Sequence, residues 1–239
     1  MLKQVLKIGL GLSLVASSLL AAPEKTKLKI GFIALTDCAP LVVAKEKGFF
    51  EAEGLDVHVA KEGGGWPGIQ QKVISGEYDY SHALAGMPIA STLGINGDTN
   101  LQALMSLDLN GNAITFGNKI IGEMEKYGLK KEERPVSAES LKKYIDEKHK
   151  VEGNAYQPLN FGMVHPVSTH NYELRYWMAA SGIKPDVDST IKPFPPPTMP
   201  QNLIAGNIDG YCVGEPWNTR VVSGGQGGVL VTKYDIWNN

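Results

Sequence analysis

Four places in the sequence combine residue types that can hold a small anion, and the first two are Trp66 and the Gly111-Asn112 pair. Trp66 follows three glycines, which let the backbone bend and place a rigid ring over a cleft. Its indole N–H can donate a hydrogen bond, and its face can stack on a planar anion. The alternative is that Trp66 only covers an apolar core. At Gly111 and Asn112 an amide side chain can also donate to an anion, although a Gly-Asn pair is equally common in turns.

A third candidate is His170, which we expect in the first turn of a helix capped by Thr169. Free backbone N–H groups and the positive end of the helix dipole favour an anion at this position. The same field keeps a histidine neutral, so its ring would act as an N–H donor. Capping alone would also explain Thr169, and an exposed position would explain His170. His165, at the end of the preceding strand, is a further candidate.

A fourth candidate region follows a predicted buried strand. The backbone N–H groups of Val213, Gly214 and Glu215 can line a site there. The Glu215 carboxylate would repel an anion that carries no proton, but it can accept from the O–H of an anion that carries one, or help hold a cation such as Ca²⁺ that accompanies the anion. The alternative is a hinge carboxylate paired with Arg220. No other cofactor is expected, because the remaining histidines lack metal-ligand spacing.

Alternating strand and helix patterns must position these residues. Apolar alternation predicts four strands in the first half, and the order of strands and helices predicts a parallel sheet covered on both sides. These strands are expected at residues 28–34, 55–59, 78–83 and 101–107, the last buried on both faces. Residues 63–68 are expected to form a flexible loop before a short helix. A second set of strands is predicted at 160–164, 191–194 and 209–213, with helices at 137–149, 169–181 and 199–205.

The pattern predicts two α/β lobes. Residues 23–112 would form lobe I, residues 113–213 would form lobe II, and residues 214–239 would return to lobe I. Ligands of such sheets bind beyond the carboxyl ends of the strands, in the crevice.

Composition and charge exclude several classes of protein. The 239 residues carry 23 basic and 25 acidic side chains, with 43% hydrophobic and 20% charged residues. These values argue against a disordered chain or a coiled coil, and the absence of a basic run argues against nucleic acid as a partner. Cys38 and Cys212 are too few for a disulfide scaffold or a Cys-based zinc site. We expect two buried free thiols, with a disulfide as the alternative.

The first 22 residues have the pattern of a secretory signal peptide. Lys3 and Lys7 precede an apolar stretch from residue 8 to residue 20, and Ala21 and Ala22 follow it. The alternative is a retained N-terminal anchor. Cleavage would remove two of the 23 basic residues and no acid, so the mature charge would be 21 − 25 = −4. This pattern predicts a periplasmic or otherwise extracytoplasmic protein.

Four blocks of sequence, in order, resemble the nitrate/bicarbonate-binding proteins of ABC importers. The blocks are GFIALTDCAPL with AKEKGFF at residues 31–50, MVHP with THN and RYW at 163–177, PPPTM at 195–199, and CVGEPWN at 212–218. The resemblance implies the type II periplasmic-binding-protein fold, an α/β fold of two lobes with mostly parallel sheets. It also implies a small inorganic anion held between the lobes and delivered to a membrane permease.

The resemblance carries several further expectations. It aligns Trp66 and His170 with ligand contacts, and it places Pro196 nearest the ligand among the prolines at 195–197. Family members run past residue 239, which implies that the part completing lobe I lies beyond this chain. No catalytic residue is predicted, and the protein is expected not to be an enzyme. The alternatives are an enzyme like the pyrimidine synthases of thiamin biosynthesis and an anion-sensing accessory domain of the same fold.

Overall fold

The computed structural model describes residues 24–95 and 99–237. The predicted signal peptide lies outside these residues. Across the described ranges, no helix has both the length and the apolar character needed to span a bilayer.

The first sheet has three parallel strands in the order β2-β1-β3. Its elements are β1 (Lys27–Phe32), α1 (Ala39–Glu46), α2 (Phe49–Ala52), β2 (Asp56–Lys61), α3 (Gly65–Ile74), β3 (Tyr80–Ser81) and α4 (Gly86–Thr92). The alternation of apolar and polar residues predicted β1 and β2 well. The predicted loop at 63–68 is wrong from Gly65 onward, because α3 begins there and includes Trp66.

The predicted fourth strand at residues 101–107 is wrong. This segment forms no strand, and Leu104 and Met105 are 68% and 77% exposed. Its apolar composition is typical of a strand buried on both faces. A strand also needs neighbouring strands to hydrogen-bond with, and the composition of a segment does not show whether they exist. Within the described ranges, no strand pairs with this segment.

The second sheet has five strands in the order β6-β5-β7-β4-β8. Its strands are β4 (Asn112–Gly117), β5 (Leu159–Met163), β6 (Ser189–Pro193), β7 (Gly210–Gly214) and β8 (Gly227–Thr232). Its helices are α5 (Asn118–Lys126), α6 (Glu139–Glu152), α7 (Thr169–Ala180), α8 (Met199–Ile204), α9 (Trp217–Ser223) and α10 (Lys233–Ile236). β5 runs parallel to β6 and β7, whereas β4 runs antiparallel to β7 and β8.

The expected return of residues 214–239 to lobe I is wrong for β8. This strand pairs with β4 over five residue pairs and so belongs to the second sheet. Helix α9 follows β7 and returns the chain to the second sheet, and Val221 of that helix is fully buried. The chain touches the first lobe at residues 214–217 and then folds back.

Two apolar clusters form the core. One fills the second lobe around Phe116, Phe161 and Trp177. The other joins side chains of both lobes, and its members include Ile33, Leu35, Met87, Val167, Tyr211 and Val213. Cys38 and Cys212 are both free and buried, which confirms the prediction made for them.

Candidate anion site between the lobes

The carboxyl ends of β1 and β7 meet at the junction of the two sheets. The Thr36 N–H donates to the Glu215 carbonyl at 2.9 Å. The Trp217 indole N–H donates to the Ala34 carbonyl at 2.8 Å. These bonds place the residues that follow each strand opposite one another, at the edge where ligands of parallel sheets bind.

Gly86, at the start of α4, brings the lobes into direct backbone contact. A Cβ atom on Gly86 would lie 2.0 Å from the carbonyl oxygen of Val167, in the segment that precedes α7. Only a residue without a side chain fits this approach. The junction beside the candidate site is therefore tightly packed.

Trp66 lies in the first turn of α3, not on a loop. Gly65 before it has φ +70, a conformation that favours glycine, and this turn directs the indole inward. The side chain is 1% exposed and packs in the cluster shared by the lobes, as the core-covering alternative expected. Its Nε1–H is nevertheless buried without a hydrogen-bond acceptor. Trp66 is thus a core residue that still carries a free donor.

His170 lies in the first turn of α7 and is 4% exposed. The predicted cap is corrected by one residue: Ser168 has extended backbone angles, and its hydroxyl accepts from the Asn171 N–H at 3.2 Å. Both ring nitrogens of His170 are buried without a partner. Burial lowers the pKa of His170 to about 4, and the nearby Asp37 carboxylate only partly opposes this shift. The ring is neutral at physiological pH and has one donor and one acceptor.

Asp37 and His82 also lie at this site, although neither was predicted from the sequence as a site residue. His82 is 3% exposed, its Nε2 lies 3.0 Å from Asp37 Oδ2, and its ring packs edge-to-face on Trp66 with centroids 5.1 Å apart. Asp37 Oδ1 and His82 Nδ1 have no partner. The two residues are 45 positions apart in sequence. They meet because β1 and β3 pair in parallel, with Gly31 opposite Ser81.

Unpartnered buried atoms are concentrated at this junction. Six buried side-chain nitrogen or oxygen atoms lack a hydrogen bond within the described ranges, and five of them belong to Asp37, Trp66, His82 and His170. The sixth is the hydroxyl of Ser140 in α6. Such atoms are rare in folded proteins and require an explanation. A polar ligand at the junction would supply their missing partners.

Asn112 does not offer the free amide donor that was predicted. Its Nδ2 donates to Thr169 Oγ1 at 2.9 Å and to the two carboxylate oxygens of Glu173 at 3.1 and 3.2 Å. Burial raises the pKa of Glu173, while the hydrogen bond from Asn112 opposes this rise. Gly111 has φ +107, as the turn interpretation expects. Asn112 therefore ties β4 to α7.

Gly214 lies close to His170. A Cβ atom on Gly214 would be 3.9 Å from His170 Nε2 and 3.2 Å from the Leu35 side chain. The preceding Val213 is fully buried in the cluster shared by the lobes. Glycine at position 214 thus leaves space beside the imidazole, and a larger residue would fill it.

The Glu215 carboxylate is engaged in another contact. Its Oε2 accepts from the Thr219 N–H at 3.1 Å, so it satisfies a backbone donor near the start of α9. The alternative pairing with Arg220 is not found among the ion pairs of the described residues. In those same residues, no three His, Cys, Asp or Glu side chains converge as metal ligands. The expectation that a Ca²⁺ ion accompanies the anion stays a prediction.

Two further candidates occupy supporting positions. Pro196 is buried and opens a 3₁₀ turn at residues 196–198 before α8. His165 accepts from the Val167 N–H through Nδ1 at 3.3 Å, and burial lowers its pKa. This bond holds the loop that contacts Gly86.

A surface depression lies at the opposite, amino ends of β1 and β2. Its lining includes Lys25, Lys29, Glu77 and Asp79. Lys25 pairs with Asp79, and Lys29 pairs with Glu77 at 3.2 Å. These charges neutralise each other, and ligands of parallel sheets bind at the other end. The junction is the better candidate site.

Comparison with known proteins identifies the family. The model of the NMT1-like family matches residues 21–239. The chain belongs to the NMT1-like family. A crystal structure of the periplasmic nitrate-binding protein NrtA from Synechocystis resembles this NMT1-like chain with a TM-score of 0.77 and 32% sequence identity, over 90% of this chain and 53% of that one.

Two curated relatives come from Synechocystis sp. The nitrate import ATP-binding protein NrtC is 44% identical over 222 residues, and the bicarbonate transport ATP-binding protein CmpC is 40% identical over 219 residues. Each alignment covers 90% of this chain and 30% of the relative. The chain thus spans about a third of these relatives. The similarity to the nitrate/bicarbonate-binding proteins and the two-lobed α/β fold are confirmed.

Proposed function

We propose that this protein binds a small oxyanion, nitrate, nitrite or bicarbonate, between its two lobes outside the cytoplasm and delivers it to the permease of an ABC transporter. The observation that carries this proposal is the pair of buried, unpartnered donors on Trp66 and His170 at the lobe junction. The names of the relatives support it, since each refers to nitrate or bicarbonate.

Neutral donors suit the capture and release of a singly charged anion. Within a site shielded from water, an N–H donor that finds no acceptor costs about 1–3 kcal/mol, and an anion offers that acceptor. The lobes need only close more favourably with the anion than without it. Because Trp66 contributes from lobe I and His170 from lobe II, an anion that bonds to both would link the lobes.

Calorimetric titration of the full-length protein tests the proposal. The panel contains nitrate, nitrite, taurine, and bicarbonate with and without calcium. Trp66→Phe removes the indole donor and keeps an aromatic ring, and His170→Leu removes both ring nitrogens. Trp177→Phe is the control, because its N–H already donates to the Val136 carbonyl at 2.7 Å. We expect binding of at least one inorganic anion, weakened about tenfold in each site variant and unchanged in the control. No binding across the panel would refute the proposal.

A second candidate is an anion-sensing role within a transporter. NrtC and CmpC are named ATP-binding proteins, and this chain matches only 30% of each. A domain of this fold therefore occurs within proteins named for ATP binding, where bound anion could regulate transport. The two roles differ in their effect on ATP hydrolysis. A sensor would change the ATPase rate of the ATP-binding subunit without the permease, and a delivery protein would change it only with the permease present.

A further inference from the structure

Not all of the unpartnered groups at the lobe junction are donors. Asp37 Oδ1 can only accept as a carboxylate oxygen, and neutral His170 presents one acceptor beside its one donor. We infer that the ligand carries a hydrogen-bond donor of its own, so that the site prefers bicarbonate to nitrate. Asp37 Oδ1 then accepts a hydrogen bond from the O–H of bicarbonate. This inference rests on the proposed function.

The contact between Asp37 and His82 determines which oxygen of the Asp37 carboxylate remains free to accept a hydrogen bond. His82 Nε2 lies 3.0 Å from Asp37 Oδ2, and the His82 ring packs edge-to-face on the Trp66 ring. One carboxylate oxygen is thereby occupied, and Oδ1 is the oxygen left buried without a donor. Because His82 contacts both Asp37 and Trp66, the free acceptor and the indole donor lie on the same side of the junction.

Nitrate and bicarbonate are matched probes of such a site. Both are planar, singly charged and built on three oxygens, but bicarbonate carries one O–H and nitrate carries none. Nitrate could satisfy the donors of Trp66 and His170, yet it would leave Asp37 Oδ1 unpaired and close to a like charge. Bicarbonate could accept hydrogen bonds from the same two donors and donate a hydrogen bond from its O–H to Oδ1.

The other carboxylates near the junction are less suited to this role. Glu215 is bonded to the Thr219 N–H, and Glu173 accepts from Asn112 and from the Cys212 thiol. Asp108 is exposed. Among the described carboxylates, Asp37 is the one with a buried oxygen that has no partner.

Titrations of nitrate and bicarbonate in CO₂-free, mildly alkaline buffer test the inference. Asp37→Asn is the informative variant, because His82 would still donate to the Asn carbonyl and the amide NH₂ would take the position of Oδ1. Asp79→Asn is the matched control: it makes the same charge change at the other end of β1, and the two side chains are similarly exposed, 28% for Asp37 and 21% for Asp79.

We expect the wild-type protein to bind bicarbonate at least about tenfold more tightly than nitrate. In Asp37→Asn, bicarbonate affinity should fall about tenfold and nitrate affinity should stay equal or rise, whereas Asp79→Asn should match the wild type. Equal or tighter nitrate binding by the wild-type protein would overturn the inference and leave the proposed function standing. Equal losses for both anions in Asp37→Asn would also overturn it. Binding of neither nitrate nor bicarbonate would overturn the inference, and the proposed function would then fail only if nitrite did not bind either. The wild-type comparison decides the inference even if the variant does not fold.

Discussion

Acid should destabilise this protein through His170. Its imidazole is buried and neutral, with a pKa of about 4 in the folded protein against an ordinary value of 6.5. Between these values the unfolded chain binds a proton that the folded chain does not bind. The free energy of unfolding therefore falls as the pH falls through this window.

The size of the effect follows from the two pKa values. Going from about pH 7.5 to about pH 4.5 should remove about 2–3 kcal/mol of stability through His170 alone. The change His170→Gln replaces the imidazole with a side chain that does not titrate. The variant should therefore lose about 2–3 kcal/mol less stability than the wild-type protein over the same interval. Any cost of the substitution that does not depend on pH cancels in this comparison.

Urea unfolding followed by circular dichroism at each pH measures the difference. His58→Gln is the control, because it makes the same substitution at an exposed histidine of β2. Parallel profiles for the wild-type protein and His170→Gln would refute the reasoning. They would mean that the nearby Asp37 carboxylate offsets the effect of burial and holds the pKa of His170 near its ordinary value in the folded protein.

Three substitutions test the lobe junction by urea unfolding and calorimetric titration. Gly86→Ala should lower the free energy of unfolding by about 1–3 kcal/mol, because its methyl group would collide with the backbone of the other lobe. Its control is Gly122→Ala in α5, which has open space around it and should raise the free energy of unfolding by about 0.5–1 kcal/mol. Equal effects of the two would contradict the close approach. Gly214→Ala should weaken anion binding about tenfold by filling space beside the imidazole, and unchanged affinity would show that this space is not used. Trp217→Phe should cost about 1 kcal/mol, because the Ala34 carbonyl loses its donor, and an unchanged value would mean that water replaces it.

Much of the fold could be predicted from local patterns. Apolar alternation located β1, β2, β5 and β7 to within a few residues, because each strand buries one or both faces. Residues 101–107 show the limit of this signal. Their side chains suit a strand, but a strand also needs neighbours to pair with, and local sequence does not report them.

The site was partly predictable from sequence, where the chemistry of a side chain and its local pattern were enough to select it. Sequence identified His170 because it carries a donor near a predicted helix start, and Trp66 because its indole donor follows three glycines. It missed Asp37 and His82, whose pairing depends on the parallel register of β1 and β3. It wrongly predicted a free amide donor at Asn112, since only the folded structure shows that this amide donates to the buried Glu173 carboxylate.

The five-stranded sheet has a consequence for folding and for protein engineering. Its strands β4 to β8 all come from one unbroken stretch, residues 112–232, and every strand pairing in it is made within that stretch. Synthesis of this segment alone would supply all the backbone partners of the sheet. The first lobe instead packs Leu35 and Met87 against side chains that are translated later. Assembly that begins in the second lobe would give the first lobe a template on which to dock.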